Sequence, residues 1–270
     1  MIIHKNIKIL TWFNFLSDFK LYAPIAVIYF TKVTGSYALG MSIFSIAMIS
    51  SAILEIPTGI FSDYIGRKKT IILGSIASIV CVVLYAVGGS YWMLVFGALF
   101  EGLSRSFYSG NNDALLHDTL SDMGKRHEYH IYFGKTSSMF QFAGVASAVL
   151  GGFIATWSFP LLMWLSILPQ VAGLFLGFGI IEPQKRGSSG NIYSHLSESI
   201  KYFLKNKKLR VLSLSSIVGY STGEAAYQFQ AAFFNTLWPL WAVGLARTVS
   251  SITAASSFYF AGKVIHKFKE

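Results

Sequence analysis

Charged and amide side chains occur inside long apolar stretches of this 270-residue chain, where each one is costly to bury. Glu101, Arg105, Tyr108 and Asn112 are spaced by four, three and four residues, so on a helix they share one face. Glu101 and Arg105 lie one turn apart and can form an ion pair. The pattern predicts either a structural ion pair or a polar site that binds a solute or a proton.

Three other apolar stretches carry polar side chains at helical spacing. These sets are Thr11, Asn14, Asp18 and Tyr22, then Ser51, Glu55 and Thr58, and last Tyr220, Glu224, Tyr227 and Gln228. A carboxylate in a low-dielectric cavity can bind and release a proton near neutral pH, because burial disfavours its charged form. Asp18 and Glu224 are therefore candidate proton sites. Lys20 is expected to point to a different face from Asp18, so that the two need not pair.

The composition indicates that lipid is the solvent for most of the chain. Charged residues make up 13% of it, hydrophobic residues 53%, and the mean hydropathy is +0.53, whereas soluble domains carry about 25% charged residues. The apolar runs are continuous and lack a period of two, which favours helices over barrel strands. With about 20 residues needed to cross a bilayer, the predicted spans are 9–30, 38–61, 71–89, 91–116, 136–156, 159–181, 211–233 and 241–262.

The positions of the basic residues predict the orientation in the membrane. The chain has 22 Lys and Arg residues and a net charge of +10. Most of them fall on one side of the membrane if the spans alternate, and the side richer in Lys and Arg is the cytoplasmic one. We therefore expect a multi-pass protein of the cell (plasma) membrane with both termini in the cytoplasm. The positive charge follows from this topology and does not indicate a nucleic acid partner.

The longest polar stretch divides the chain into three predicted parts. Residues 1–181 contain six spans, residues 182–210 form a basic cytoplasmic linker, and residues 211–270 contain two further spans. Within the linker, apolar residues recur at helical spacing opposite lysines, which predicts an amphipathic helix along the inner membrane face. These apolar residues are Leu196, Ile200, Phe203 and Leu204.

Signatures of enzymes and metal sites are not found in the sequence. It lacks the Gly-x-x-x-x-Gly-Lys-Ser/Thr loop that holds nucleotide phosphates, so an ATP-driven pump is not predicted. His127 and His130 are spaced to share a helix face beside Glu128, with no third ligand in reach. Cys81 is the single cysteine and is expected to be buried and inert. No catalytic residue, metal or cofactor is predicted.

A short charged link joins the second and third predicted spans. It reads Gly59-x-x-x-Asp63-x-x-Gly66-Arg67-Lys68-Lys69. Gly59 lets two helices approach closely, and Gly66 permits a turn with positive φ. Asp63 can accept hydrogen bonds from a helix N-terminus, where the dipole favours a carboxylate. Arg67 and the two lysines are expected at the headgroups of anionic lipids.

This spacing resembles the signature that members of the major facilitator superfamily carry between their second and third helices. Glu55-Ile-Pro-Thr-Gly59 and Ser109-Gly-Asn-Asn-Asp-Ala-Leu-Leu-His-Asp118 also look like a bacterial efflux-type branch of that superfamily. Residues 1–262 are similar to about the first two-thirds of such a transporter. The resemblance implies an all-α polytopic helical bundle of about eight transmembrane helices, with a complete first six-helix half and a partial second half.

The resemblance also implies a function, which is secondary active export of a small organic solute or drug by alternating access. The implied partners are a small-molecule substrate, a coupled proton and the lipid bilayer. Because spans 1, 4 and 7 line the central cavity in the superfamily, the implied cavity residues are Asn14, Asp18, Glu101, Arg105, Asn112, Tyr220 and Glu224. The implied gating motif comprises Glu55, Gly59, Asp63, Gly66, Arg67 and Lys68. In the family, the Asp63 equivalent helps to lock the inner gate against the eleventh helix.

Two features of the sequence depart from the family pattern. Proton antiporters of the superfamily usually carry Gly-Pro-x-x-Gly-Gly in span 5, where this chain keeps only the final glycines, Gly151 and Gly152. Gly144, Ala148 and Gly152 still give span 5 a face for close packing. The second half is also expected to stop after two helices. The alternative is therefore a truncated, non-autonomous fragment that needs a partner C-terminal half or does not transport.

Overall fold

The structure, a computed structural model, describes the backbone of residues 3–183 and 201–268. Side chains are described within these ranges, except at residues 3–4, 220, 250, 254–255 and 258–268. The described ranges are helical and contain no β-strand, which confirms the predicted all-α bundle. The helices are α1 (Ile3–Asp18), α2 (Ala26–Thr34), α3 (Tyr37–Ile65), α4 (Arg67–Val87), α5 (Tyr91–Tyr108), α6 (Asn111–Asp122), α7 (Tyr129–Trp157), α8 (Phe159–Leu165), α9 (Ile167–Phe178), α10 (Lys207–Leu237) and α11 (Leu240–Phe268).

The first and fourth predicted spans are each divided into two helices, and the sixth is divided at Ser166 into α8 and α9. In the first, α1 ends at Asp18 and a 3-10 turn at Ala23–Ile25 leads into α2. Pro24 lies in this turn, and its missing N–H and fixed φ interrupt α-helical hydrogen bonding. In the fourth, α5 ends at Tyr108, and Gly110 with φ of 64° separates it from α6. The polar stripe predicted on one helix of the fourth span therefore lies on two helices.

Four of the described helical stretches are long and apolar enough to cross a membrane. They are Tyr37–Ile65, Arg67–Val87, Arg126–Trp157 and Phe159–Phe178. Helices α10 and α11 have 31 and 29 residues, which is also sufficient length, but their sequences are more polar. Large apolar side chains such as Ile49, Ile53 and Ile56 are exposed on α3, as expected for a surface that faces lipid. The chain is a multi-pass membrane protein.

The helices pack around two buried clusters. Helices α3 and α4 both pack along α5, α9 packs on α4 and α1, and α7 contacts both α1 and α11. Ile25, Phe30 and Tyr85 are fully buried in the cluster near the α1–α2 break. Phe13 and Leu115 belong to the second cluster, where α1 meets α6. This arrangement places the end of α1 beside α5 and α7.

Small residues determine how closely the helices approach one another. A Cβ atom added to Gly102 on α5 would lie 2.6 Å from the carbonyl oxygen of Ala47 on α3. A Cβ atom added to Gly152 on α7 would lie 3.1 Å from the Cα atom of Gly244 on α11, and one added to Gly244 would collide with the carbonyl of Ala148. The close-packing face predicted on the fifth span is confirmed. It holds α11 against the first six spans.

The start of α1 is joined to the segment after α9 by one buried asparagine. The amide nitrogen of Asn6 donates to the carbonyl of Ile181 at 2.7 Å, and the backbone nitrogen of Ile181 donates to the Asn6 side-chain oxygen at 2.9 Å. Asn6 is 4% exposed. This clasp closes the part predicted as the first six-helix half. Of the apolar residues of the amphipathic helix predicted in the linker, Leu196 and Ile200 lie outside the described residues, whereas Phe203 and Leu204 lie in a helical stretch at residues 201–205.

We predict that Gly244→Leu destabilises the chain by roughly 1–3 kcal/mol, because the side chain has no space against α7. Leucine is a good helix former, so helix propensity does not account for such a loss. Unfolding of the purified chain by sodium dodecyl sulfate in mixed micelles measures the effect. Gly219→Leu on α10 is the control, since a Cβ atom there meets no described atom within 4 Å. Equal losses in both variants would contradict the predicted packing.

Candidate functional site

A cavity of about 490 Å³ opens between helices of the first six spans and helices of the last two. The end of α1, together with α5, α7, α10 and α11, supplies its walls. Four residues predicted for the cavity meet there, namely Asp18, Glu101, Arg105 and Glu224. The complete set of charged residues in the lining is Asp18, Lys20, Glu101, Arg105, Glu224 and Arg247.

Glu101 is bound by three side chains from different parts of the sequence. Arg105 donates to its Oε1 through Nη2 at 3.1 Å and Nε at 3.3 Å, so the predicted ion pair one turn apart is present. The hydroxyl of Tyr85 donates to Oε2 at 2.9 Å, and Lys20 Nζ lies 3.7 Å from Oε1. Glu101 is 9% exposed. Two cations and a hydroxyl therefore replace the water that a buried carboxylate loses.

Lys20 lies in the cavity with Asp18, so its predicted placement on a different face is wrong, whereas the two do not pair, as expected, because Lys20 pairs with Glu101. That prediction extended α1 through residue 20, which would place the two side chains on different faces. The helix instead ends at Asp18, and the turn that follows directs Lys20 towards Glu101. Both Asp18 and Lys20 consequently line the same cavity. The signal available in the sequence was Pro24, which lacks the N–H that a continuous helix would bond to the carbonyl of Lys20.

The carboxylates of Asp18 and Glu224 form fewer ion pairs and hydrogen bonds than that of Glu101. Asp18 is exposed, and no ion pair within 4 Å is found for its carboxylate in the described part of the chain. Glu224 on α10 accepts a hydrogen bond from the Gln228 amide at 2.8 Å, one helical turn away. These two carboxylates belong to different halves of the chain and line one cavity. Each has lone pairs available for a proton or a ligand.

Two residues predicted for the cavity, Asn14 and Asn112, are not brought to it. The amide of Asn112 donates to the side-chain oxygen of Asn14 at 3.2 Å, and the Asn14 amide donates to the backbone oxygen of Thr136 at 3.2 Å. Both asparagines are buried and neither lines the cavity. They join α1, α6 and α7 instead, because the break at Gly110 moves Asn112 off the face of Glu101. The side chain of Tyr220 lies outside the described residues.

Arg247 on α11 is a cavity residue that the sequence analysis did not select. It is 2% exposed, and its guanidinium lies 3.8 Å from the centre of the Tyr227 ring. Nη2 donates to the backbone carbonyl of Tyr227, whereas Nε and Nη1 have no hydrogen-bond partner among the described residues. The signal was present, because a charge within a membrane span is a candidate functional residue. No helical stripe on its own span accompanied it.

The charged link between α3 and α4 forms a compact network. Arg67 Nη2 lies 3.0 Å from the carboxylate of Asp63, and Arg67 Nε lies 3.5 Å from that of Asp118 on α6. Arg67 Nη1 donates to Ser62 Oγ at 2.9 Å, and Ser62 donates to the side-chain oxygen of Asn111 at 2.6 Å. Two carboxylates of the protein bind Arg67, and its expected contact with lipid headgroups stays a prediction. Lipid contact of the lysines stays a prediction.

Glu182 caps the N-terminus of α4, a role that had been predicted for Asp63. Its two carboxylate oxygens accept hydrogen bonds from the backbone nitrogens of Arg67 at 2.7 Å and Lys68 at 2.9 Å. Gly66 has φ of 100°, which confirms the predicted positive-φ turn, and an added Cβ atom there would lie 2.8 Å from Glu182 Cδ. The carboxylate complements the positive end of the helix dipole. No local pattern links residues so far apart in sequence.

The other motif residues connect α3 to α5. Glu55 Oε1 accepts a hydrogen bond from the Ser109 hydroxyl at 2.6 Å, and Thr58 donates to the backbone oxygen of Ser106 at 3.0 Å. The close helix approach predicted at Gly59 is not found, because a Cβ atom there meets no described atom within 4 Å. Gly102 provides that approach on the facing helix. Within the described residues, no three His, Cys, Asp or Glu side chains are grouped to hold a metal.

Comparison with known proteins gives consistent matches. A family model described as Major Facilitator Superfamily matches residues 9–270. The Na(+), Li(+), K(+)/H(+) antiporter of Planococcus maritimus is 22% identical over 233 residues, which cover 80% of this chain and 54% of the antiporter. The MFS-type efflux pump MMF1 of Pseudozyma antarctica (strain T-34) is 30% identical over 109 residues, covering 40% of this chain and 19% of the pump.

Solved structures show the same fold. The crystal structure of D-xylose-proton symporter matches with a TM-score of 0.74 at 12% identity, covering 99% of this chain and 70% of the symporter chain. Such low identity is informative about the fold alone. The chain spans about half the length of the antiporter it matches.

We predict that Glu182→Ala lowers the free energy of unfolding by about 0.5–2 kcal/mol, the usual range for loss of a helix N-cap. Glu182→Gln should fall between this variant and the wild type, because it keeps one acceptor and loses the charge. Titration with sodium dodecyl sulfate measures both variants. Glu128→Ala is the matched control, since it removes a partly exposed pair with Lys125 and is expected to change little. A loss no larger than that of the control would refute the capping role.

Proposed function

The chain belongs to the major facilitator superfamily, and we propose that it acts in secondary transport, exporting a small organic solute by alternating access. The observation that carries this proposal is the charged cavity between the first six spans and the last two. A volume of about 490 Å³ suits a small organic molecule, since ligand pockets measure about 300–1,000 Å³. Transporters of this kind bind substrate near the midplane between two repeats that rock against each other.

We assign the coupling of a proton to Asp18 or Glu224. Glu101 is held by Lys20, Arg105 and Tyr85, so its carboxylate is already neutralised within the protein. Asp18 and Glu224 lack such partners and face the cavity, where a proton and a ligand can compete for them. The antiporter that resembles this chain exchanges cations for protons by its name, and the solved relative is a proton symporter. Both names support a coupled proton here.

The network around Arg67 is assigned to the inner gate. It connects α3, α4 and α6 through Asp63 and Asp118, and Glu182 attaches the segment after α9 to the same turn. A change in the position of this segment therefore acts directly on the α3–α4 link. Asp63 remains about half exposed, which leaves it free to contact a further helix of the transporter. We also propose that the protein lies in the plasma membrane. This network and both termini are then on the cytoplasmic side.

The chain spans about half the length of the antiporter it matches, and this share supports a second candidate function. Alternating access needs two bundles of comparable size, and α10 and α11 alone are a small partner for the first six spans. Most side chains of α10 are exposed, including Val211, Leu214, Ile217 and Phe229. In this candidate the chain transports only together with a C-terminal half that completes the second bundle.

Flux measurements distinguish the two candidates. The purified chain is reconstituted in vesicles under a pH gradient, and movement of ethidium, glucuronate and Na⁺ is followed. Gradient-dependent flux of any probe by the chain alone supports autonomous transport and excludes the partner requirement. Flux that occurs only after co-expression with the C-terminal half of a relative supports the second candidate. Absence of flux in both preparations would reject transport as the function.

We predict that Asp18→Asn or Glu224→Gln abolishes flux driven by a pH gradient while exchange of substrate for substrate continues. Exchange needs no net proton movement, so it separates coupling from binding. The ratio of the two rates is measured in vesicles from pH 5 to pH 8. Asp113→Asn is the control, because Asp113 is exposed on α6 and does not line the cavity. Unchanged pH dependence in both cavity variants would remove Asp18 and Glu224 as coupling sites.

A further inference from the structure

Buried polar atoms without hydrogen-bond partners are concentrated at the cavity. Among the described residues there are six such side-chain atoms. Four of them belong to residues that line the cavity, and they are Tyr22 Oη, Ser147 Oγ, Arg247 Nε and Arg247 Nη1. A buried polar group that lacks a partner costs about 1–3 kcal/mol. Their concentration indicates that a molecule in the cavity supplies the missing partners.

The chemistry of these atoms specifies the type of partner. The Arg247 nitrogens only donate, and the Tyr22 and Ser147 hydroxyls both can donate. An acceptor therefore satisfies all of them, whereas an ammonium group satisfies neither guanidinium nitrogen. Arg247 also carries a charge although it is only 2% exposed, and burying an unpaired charge is far more costly than burying a neutral group.

No acid in the described part of the chain forms an ion pair with this arginine. Glu101 is bound by Lys20 and Arg105, and Glu224 acts on Arg247 through its charge but forms no ion pair with it within 4 Å. No carboxylate oxygen lies within 4 Å of an Arg247 nitrogen in the described part of the chain. The contacts that Arg247 does make are the backbone carbonyl and the ring of Tyr227, so no described carboxylate touches its guanidinium.

We infer that the cavity binds a solute with a carboxylate or similar oxyanion, which pairs with Arg247 and accepts hydrogen bonds from Tyr22 and Ser147. The inference rests on the proposed function, since it assigns the ligand class of the same cavity. The Tyr227 ring covers the guanidinium and is 43% exposed, so it has space to turn aside when the anion enters. The remaining part of the solute meets a lining rich in charged side chains, which favours a polar molecule over an apolar drug.

Binding to the purified full chain in lipid nanodiscs tests the inference without requiring transport. The probes are size-matched triplets of anion, neutral molecule and cation, namely benzoate, benzamide and benzylamine, and glucuronate, glucose and glucosamine. Thermal unfolding followed by tryptophan fluorescence gives the apparent Kd of each. We expect a saturable stabilisation by at least one carboxylate, with a Kd at least about tenfold lower than those of its neutral and cationic counterparts, a difference of about 1.4 kcal/mol.

Variants locate the binding group. Arg247→Gln should weaken the carboxylate at least about tenfold, Arg247→Lys should weaken it less, and Ser147→Ala should give a smaller loss in an otherwise intact fold. Lys32→Gln is the control, because this cation contacts the Phe159 ring away from the cavity and should leave binding unchanged. The inference is overturned if a cation binds most tightly, if no probe gives a saturable shift, or if Arg247→Gln binds like the wild type.

Failure of the binding inference can be distinguished from failure of the proposed transport function. Carboxylate binding that depends on Arg247 but is accompanied by no flux retains the inference and rejects transport by this chain. Flux of a cation or neutral solute that is equal in the wild type and Arg247→Gln retains transport and rejects the inference.

Discussion

A carboxylate enclosed among helices in a bilayer has to be neutralised by the protein itself, and the architecture around the cavity depends on how Glu101 meets this constraint. Arg105 comes from the same helix, Tyr85 from α4, and Lys20 from the turn after α1. Lys20 reaches the acid only because α1 stops at Asp18. The helix break, the ion cluster and the cavity wall are therefore parts of one arrangement.

Backbone contact between small residues places these charged groups. Lipid offers no hydrophobic driving force for helix association, so close packing and hydrogen bonds have to provide it. Gly102 brings α5 against α3, and the contact of Gly152 with Gly244 brings α11 against α7. The second of these contacts joins the two predicted halves and fixes the distance of Arg247 from the first six spans. Small residues thus have an indirect but decisive effect on the electrostatics of the cavity.

Interactions within one helical turn could be predicted from the sequence, whereas those between distant segments could not. The pairing of Glu101 with Arg105 follows from a spacing of four residues, and the turn at Gly66 follows from the conformational freedom of glycine. The cap provided by Glu182 joins residues 115 positions apart, which no local pattern indicates. Lys20 was placed wrongly because a helix was extended through a turn. Helical spacing predicts correctly which residues share a face only within one uninterrupted helix.

The clasp between Asn6 and Ile181 has a consequence for biogenesis. Its two partners are separated by 175 residues, so the amide of Asn6 is synthesised long before the backbone group that satisfies it. At typical synthesis rates that interval is on the order of 10–30 s. During this time α1 can enter the membrane, but the side chain of Asn6 cannot yet form its hydrogen bonds with Ile181. Completion of the first six-helix unit is therefore timed by the emergence of the segment after α9.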